Sequence, residues 1–377
     1  VGNGASYKIL QEAGIDDADL IIAVTGSDEL NLLCCTIATQ VGNCAAIARV
    51  RTPEYSQEAK YLRDKLGLAL IINPELEAAI EMAHILHLPS SLEVTNFAHG
   101  QAQLIKYEIP EGSILDGTKL MDLGTRHHAN ILIGAVERDD EVTIPSGDFV
   151  LRKGDKLSFV GERRHTKEFF SHIGVNTHSV KNTLIIGGGK AAYYLAKQLI
   201  SRGIKVKIIE NSFERCEELS ILLPDAVIIN GDGTEQALLK EEGIETCQSF
   251  VPLTGIDEEN IMLTLYAKQV SNAKVITKLN RITFTNVINS LDLGSVISPK
   301  YITSEAIIAY VRAKKNSMNC NIETLYHMYD SRVEAIEFFV SENSNVTDIP
   351  LRDLKLKKHL LICFINRNGK IIIPTGN

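Results

Sequence analysis

The residues best equipped for chemistry lie mid-chain: Gly187-Gly188-Gly189-Lys190-Ala191-Ala192, in the spacing G-x-G-x-x-A, with an acid, Glu210, about 20 residues further on. A run of this kind works through its backbone. Gly187 allows a tight turn, Gly189 lets a pyrophosphate approach the main chain, and Ala192 is small enough for a helix to pack closely on a sheet. The N–H groups freed at the start of such a helix, together with its dipole, attract phosphates. Glu210 can accept bonds from an adenosine ribose and repels a 2′-phosphate, which favours NAD or NADH over NADP. A tight turn without a ligand is the plainer reading of the glycines alone.

The neighbouring elements must position these residues. Residues 183–186 and 204–209 read as short apolar strands. Residues 191–201 read as a helix with Ala192, Leu195, Ala196 and Leu199 on one face, stopped by Gly203. The loop therefore follows a strand, opens a helix and precedes a strand-end acid, the context a dinucleotide loop requires. Residues 226–229, 250–253 and 275–279 supply three more strands of a Rossmann-type sheet. After the first comes Asp232, either a contact at the adenine edge or a plain Asx turn. After the second, at the switch point of the sheet, Thr254 and Gly255 can face phosphates or ribose. At the end of the third stands Lys278, either a phosphate partner or a solvated charge.

No catalytic set accompanies this site. His127 and His128 fall in a polar loop, and His84 and His87 lie three apart on a helix with no acid placed to complete a metal site. Nothing matches G-x-S-x-G, and the glycine loop lacks the GK[ST] of a P-loop. Neither catalytic residues nor metal ligands are expected.

The chain writes much of itself twice. TGSDELNLL begins at Thr25 and TGIDEENIML at Thr254, 229 residues later. At that offset 16 of the residues in 1–50 are identical to their counterparts in 230–279. The register is lost in the middle and returns where Leu132, Ile133, Arg138, Ile144, Pro145 and Gly147 fall on Leu361, Ile362, Arg367, Ile373, Pro374 and Gly376. A period so long is a duplicated pair of domains and not a solenoid. Val1 matches Asn230 and Asn377 matches Asp148, both mid-unit. About fifty further residues are expected before Val1 and a few tens after Asn377. The first copy, lacking the first two strands and the glycine loop, should leave a hole in its sheet.

After each Rossmann-type part comes a smaller α+β segment. In the first copy strands are expected at 102–108, 130–137, 141–144 and 156–160, a short helix at 118–123, a hairpin turn at Arg138-Asp139-Asp140 and a closing helix at 162–170. The second copy is expected to begin at Val333 and to stop inside Pro374-Thr375-Gly376. The domain boundaries follow: 1–92 and 180–315 for the Rossmann-type parts, 93–175 and 318–377 for the smaller ones.

Composition narrows the class. A chain of 377 residues, 45% hydrophobic and 23% charged, is an ordinary globular protein. Its net charge of −8 gives no footprint for nucleic acid. No apolar run approaches the ~18 residues of a membrane span. The seven cysteines show no C-x-x-C and read as reduced packing residues.

In sum of order, a G-x-G-x-x-A loop, a strand-end acid, a GDGT turn at Gly231–Thr234, a TGxDExN loop and a small domain with IPxGD…GD resembles the RCK/KTN domains, each an N-lobe and a C-lobe, that regulate potassium channels and transporters. The resemblance covers essentially the whole chain, and the tandem repeat is its most specific part. It implies an α/β fold in which Rossmann-type N-lobes alternate with small α+β RCK C-lobes. It implies an effector rather than a hydride donor: NAD or NADH, with ATP or ADP as alternatives. It further implies a cytoplasmic, homo-oligomeric ring, a dimer or tetramer of tandem units, peripheral on the inner face of the membrane, whose partner is a potassium-translocating membrane subunit of the Trk type. Carried over by position, the ligand contacts are Gly187, Gly188, Gly189, Lys190, Ala191, Glu210, Asp232, Thr254, Gly255 and Lys278 in the second unit. In the first they are Asn3, Thr25, Gly26 and Arg49. Asn3 differs from Asp232 and Arg49 from Lys278, so the two sites are expected to differ in affinity. Residues 77–88 and 304–312 are either pairing surfaces or core helices. The rival reading of the whole chain is an NAD-dependent dehydrogenase.

Overall fold

The computed structural model describes residues 1–42, 44–87, 92–97, 102–126, 131–175, 180–281, 285–316, 321–329, 332–340, 344, 346–354 and 360–374. His127, His128 and Cys320 lie outside them.

The chain opens with a three-stranded parallel sheet in the order β1 (Leu20–Ala23), β2 (Ala45–Arg49), β3 (Leu70–Ile72). Between β1 and β2 runs the helix Asp28–Val41. It starts at Ser27, whose hydroxyl accepts the Leu30 N–H at 3.1 Å, and its first turn carries Asp28 and Glu29, which suit the positive end of the helix dipole. The helix buries Cys34, Cys35 and Ala38 in one core with Ala46 and Ala48 of β2.

A five-stranded antiparallel sheet follows, in the order β4-β5-β8-β6-β7: β4 (Leu92–Phe97), β5 (Ala102–Glu108), β6 (Ile131–Arg138), β7 (Glu141–Thr143) and β8 (Lys156–Glu162). The closing helix Arg163–His172 adds Phe169 and Phe170, which meet Phe159 and Tyr107 with ring centroids 5.5–5.7 Å apart. Two expectations are corrected here. β4 was not foreseen, because an edge strand carrying Glu93, Thr95 and Asn96 has no continuous apolar run to announce it. The helix expected at 118–123 is a 3₁₀ turn, Leu120–Asp122, followed by the helical turn Leu123–Arg126. Thr118 cannot start a helix, because Gly117 N–H and Thr118 C=O are both paired with Leu151 at 2.9 Å and Lys119 bridges Val150.

The second parallel sheet has six strands: β9 (Asn182–Ile186), β10 (Lys205–Glu210), β11 (Val227–Asn230), β12 (Ser249–Pro252), β13 (Lys274–Lys278) and β14 (Ser295–Ile297), in the order β11-β10-β9-β12-β13-β14. Leu184, Ile185, Ile186, Ile208 and Phe250 are buried, as expected of parallel strands covered on both faces. The strand order reverses between β9 and β12, so the loops after these strands diverge and leave a crevice at their carboxyl ends. β1 and β2 repeat β12 and β13 at the 229-residue offset, whereas β3 and β14 start 225 residues apart, which is where the register slips.

The chain continues with two antiparallel hairpins, β15 (Asn321–Met328) with β16 (Val333–Phe339), and β17 (Ile365–Arg367) with β18 (Lys370–Ile372). The second copy therefore begins at β15, the counterpart of β4, and not at Val333. Residues 1–83 with 180–306 form one compact unit, holding both parallel sheets, and residues 84–179 with 307–377 form another, holding the antiparallel ones.

A candidate nucleotide site at the glycine loop

β9 ends at Ile186, and the chain turns at once. Gly187 has φ +94°, and its N–H donates to Ile209 O at 2.8 Å. A Cβ on it would also lie 3.1 Å from the Leu253 carbonyl oxygen, so both conformation and space demand glycine. Gly189 is extended and caps the helix Lys190–Ile200, which buries Ala191, Ala192, Leu195, Ala196 and Leu199. A Cβ on Gly189 would meet nothing within 4 Å. The loop thus borders open space at the positive end of an eleven-residue helix, the place where a pyrophosphate is stabilised by free N–H groups.

Gly188 has a reason that spacing could not supply. A Cβ there would lie 2.6 Å from Leu219 Cδ1 and 3.0 Å from Glu210 Oε2. Its N–H donates to Glu210 Oε2 at 2.6 Å, and Ser212 N–H donates to Glu210 Oε1 at 2.8 Å. Each carboxylate oxygen keeps a lone pair beyond these bonds, so the acid is held in place with acceptor capacity for a diol. Arg215, which sequence reasoning passed over, donates from Nε to the Gly188 carbonyl at 2.7 Å.

Asp232, beyond the edge strand β11, accepts the Thr234 N–H at 2.9 Å and hydroxyl at 2.7 Å on Oδ1, so the Asx turn is present. Those bonds hold its carboxyl below the usual carboxylate range. Asn3 builds the same turn in the first lobe, accepting the Ala5 N–H at 2.9 Å.

The TGxDExN loops repeat the same bonds residue by residue. In the second lobe Thr254 N–H and hydroxyl both donate to Asn260 Oδ1 at 2.9 Å, and in the first Thr25 does the same to Asn31 at 2.7 and 2.8 Å. Asp257 accepts the N–H groups of Asn280 and Arg281, as Asp28 accepts those of Arg51 and Thr52. Gly26 and Gly255 both face open space. Asn31, Asn260, Asp28 and Asp257 were visible as identities between the copies but had been given no task.

Two cations stand behind these loops. Arg49 Nη2 donates to Thr25 O at 2.6 Å, and Lys278 Nζ lies 3.4 Å from Leu253 O. Burial lowers the pKa of both, and neighbouring Arg51 adds to the effect on Arg49, while Asp257 and Glu75 act in the opposite sense on Lys278. Lys278 is thus half-buried at its strand end rather than fully solvated. A half-buried cation whose charge is partly desolvated gains from an anion brought beside it.

Gly187–Ala191, Glu210, Thr254, Gly255, Lys278 and Asp232 thus sit at the carboxyl edge of one sheet, and Gly187 lies against Thr254 N. Thr25, Gly26 and Arg49 come together at the carboxyl ends of β1 and β2 on the other, and Asn3 stands in its own turn. Within this unit the lobes are joined by side chains: Lys190 Nζ donates to Thr52 Oγ1 at 3.2 Å, Tyr194 OH to Arg51 O at 2.9 Å, and Asn73 Nδ2 to Tyr194 OH at 3.0 Å. The one available signal was the tyrosine pair Tyr193-Tyr194 inside the apolar stretch 191–196 of the helix.

Among the described residues no cluster of three or more His, Cys, Asp and Glu is placed to hold a metal ion, and no helix is long and apolar enough to cross a membrane. Cys34, Cys35, Cys44 and Cys216 are buried, and burial pushes the Cys35 thiol up to about 12. These are unreactive packing thiols.

A family model described as the TrkA-N domain matches residues 1–74 and 183–299, and one described as the TrkA-C domain matches 104–174. Over 100% of its length the chain is 33% identical to the Trk system potassium uptake protein TrkA homolog 1 of Methanosarcina mazei, spanning 84% of that protein. It is 30% identical, over 99% of its length, to the Trk system potassium uptake protein TrkA of Haemophilus influenzae, spanning 81% of it. Among solved structures it resembles the GsuK channel bound to NAD with a TM-score of 0.62 at 20% identity, covering 86% of this chain and 58% of that one. It resembles the GsuK RCK domain with a TM-score of 0.64 at 19% identity, covering 85% and 69%. The fold is thus α/β, with Rossmann-type N-lobes alternating with small α+β C-lobes.

Proposed function

The chain belongs to the family of Trk system potassium uptake proteins TrkA, and from that membership we propose that it is a regulatory subunit through which an adenine nucleotide controls a Trk-type potassium transporter. The observation that carries the nucleotide half of this reading is the glycine loop, open at Gly189 and tied through Gly188 to the acid Glu210. Gly187–Ala191 would hold the phosphates, Glu210 the ribose, Asp232 the adenine edge, and Thr254, Gly255 and Lys278 the phosphate side. Asn3, Thr25, Gly26 and Arg49 are the matching contacts of the first lobe. NAD or NADH is the first choice of ligand, in keeping with the NAD-bound GsuK channel of the same fold, and ATP or ADP the alternative. The nucleotide is an effector and the protein performs no turnover. It works on the cytoplasmic face of the membrane, as a ring of identical chains, against the pore-forming subunit.

Such an effector acts only through unequal affinity for two shapes of the assembly. A tenfold preference is worth about 1.4 kcal/mol per site. Moving a 1:99 balance to 99:1 takes about 5.5 kcal/mol, so roughly four such sites on one ring suffice.

The test is growth at low potassium of cells lacking their other importers and supplied with the membrane subunit. Growth should require the intact protein and change with Gly189→Asp and Thr254→Asp. In parallel, the protein should bind NADH, and NADP at least about tenfold more weakly than NAD, because Glu210 opposes the 2′-phosphate. Oxidation of NADH with an oxo-acid substrate, together with growth that is indifferent to the protein, would return the dehydrogenase reading to first place.

A further inference from the structure

We propose that Arg215 is a positioning residue for the adenosine ribose: it holds Gly188 by its carbonyl, and so steadies the glycine whose N–H orients Glu210 for the 2′- and 3′-hydroxyls. The inference rests on the nucleotide reading above and adds to it the group that makes the acid selective. A glutamate at a strand end is a flexible acceptor, and ordering it costs side-chain entropy that a ligand would otherwise have to supply. Here two backbone donors order it in advance, Gly188 N–H on Oε2 at 2.6 Å and Ser212 N–H on Oε1 at 2.8 Å.

The Ser212 donor is secure, because Ser212 is the N-cap of the helix Phe213–Leu222 and its hydroxyl accepts the Arg215 N–H. The Gly188 donor is not secure by itself. Glycine has no Cβ to restrict its peptide, and the loop it occupies borders open space at Gly189. What holds Gly188 is one bond from each of the two peptide groups that flank its Cα: its N–H donates to Glu210, and its carbonyl accepts from Arg215 Nε at 2.7 Å, which leaves φ and ψ of the glycine little room to turn. Arg215 is itself fixed, since Nη1 pairs with Glu218 one turn along the same helix. A guanidinium is suited to this task because Nε and Nη1 project in fixed directions from one plane, so a single side chain serves two acceptors. Arg215 and Ser212 therefore act from one helical turn on the two oxygens of Glu210, one directly and one through Gly188.

The consequence is a division of labour. The helix Lys190–Ile200 and Lys278 attract phosphates whatever the sugar. The Arg215–Gly188–Glu210 chain decides whether a ribose is preferred to a deoxyribose. Removing Arg215 should leave phosphate attraction largely in place and erode the sugar preference.

The experiment compares ADP, the half-molecule that NAD, ATP and ADP share, with 2′-deoxy-ADP. Both are titrated calorimetrically against the full chain as wild type, Arg215→Met and Arg215→Lys. A hydroxyl bonded to a carboxylate is worth about tenfold or more in affinity, so the wild type should prefer ADP by at least that ratio. Arg215→Met, which keeps the length and apolar stem, should bring the ratio below about threefold, and Arg215→Lys, which retains one donor, should lie between. A ratio unchanged in Arg215→Met, even with both affinities lowered, would mean that Arg215 merely supports the fold, and overturns the inference while leaving the nucleotide reading intact. Failure of the wild type to bind either probe would overturn that reading and the inference with it.

Discussion

Asn260 donates from Nδ2 to the carbonyl oxygen of Lys278 at 3.0 Å, and so ties the loop after one parallel strand to the end of the next. The same amide accepts twice from Thr254, and Asn31 reproduces the arrangement with Thr25 and with Arg49 O at 2.9 Å. This is why the chain writes TGxDExN twice. The two loops need a buried amide that donates in one direction and accepts in the other, at a fixed distance from a threonine. Asparagine at the first turn of the following helix meets that need.

Replacing Asn260 by leucine should therefore leave Thr254 N–H and Lys278 C=O without partners. A loss of about 3 kcal/mol in urea unfolding is expected, because several buried polar groups are orphaned together. Asn31→Leu should cost a similar amount. Midpoints within error of wild type for both would contradict this account of the repeat.

Gly188→Ala tests the crowding at the centre of the glycine loop. The added methyl meets Leu219, which is fully buried, and Glu210. Overpacking of this sort costs about 1–3 kcal/mol. The same substitution in a Leu219→Ala background should cost markedly less, and the difference is read by a double-mutant cycle. Equal costs in the two backgrounds would show that Leu219 is not the obstacle.

Lys274 predicts a pH dependence. Burial lowers its pKa from 10.5 to about 8. Between these values the unfolded chain binds the proton and the folded chain does not, so stability rises with pH across that window. The full shift would correspond to about 3 kcal/mol, and residual solvent contact reduces it to about 1–2 kcal/mol. Thermal melts from pH 8 to 10.5 should show the rise in wild type and lose it in Lys274→Met. A rise of the same size in the variant would assign the effect to other groups.

The hairpin between β6 and β7 places Asp139 at φ +50° and Asp140 at φ +62°, whereas its counterpart between β17 and β18 uses Asn368 and Gly369. Two-residue hairpins of this kind favour Asn-Gly, because both residues have positive φ. Exchanging Asp139-Asp140 for Asn-Gly should stabilise the protein by about 0.5–1 kcal/mol in denaturant unfolding. A loss of stability would show that the aspartate side chains contribute more than their strain costs.

How much of this was legible in the sequence depends on how local the cause is. Five of the six strands of the larger parallel sheet, the helix Lys190–Ile200 and the glycine loop were readable, because each rests on apolar runs, helical spacing and turn chemistry within a short window, whereas the three-residue edge strand β14 was not. β4 and β15 were not, since an edge strand is stabilised by its neighbour rather than by its own composition. The misplaced helix at 118–123 failed for the same reason: pairing of residues 117–119 with 149–151, invisible to any local pattern, overrode helix propensity.

The candidate site divides along the same line. By itself the sequence determined the duplication, the loop, the acid Glu210 and the matched threonines, because the backbone chemistry of a phosphate loop requires those residue types at those spacings. Only the tertiary structure decided what depends on distance across the fold. It left Lys278 half-buried, where one reading had placed it in solvent, because burial follows from packing between elements far apart in the chain. It placed Arg215 on Gly188, 27 residues away, and Tyr194 on Arg51, 143 residues away, because side-chain hydrogen bonds reach only about 3 Å and nothing along a chain reveals which distant segments come that close.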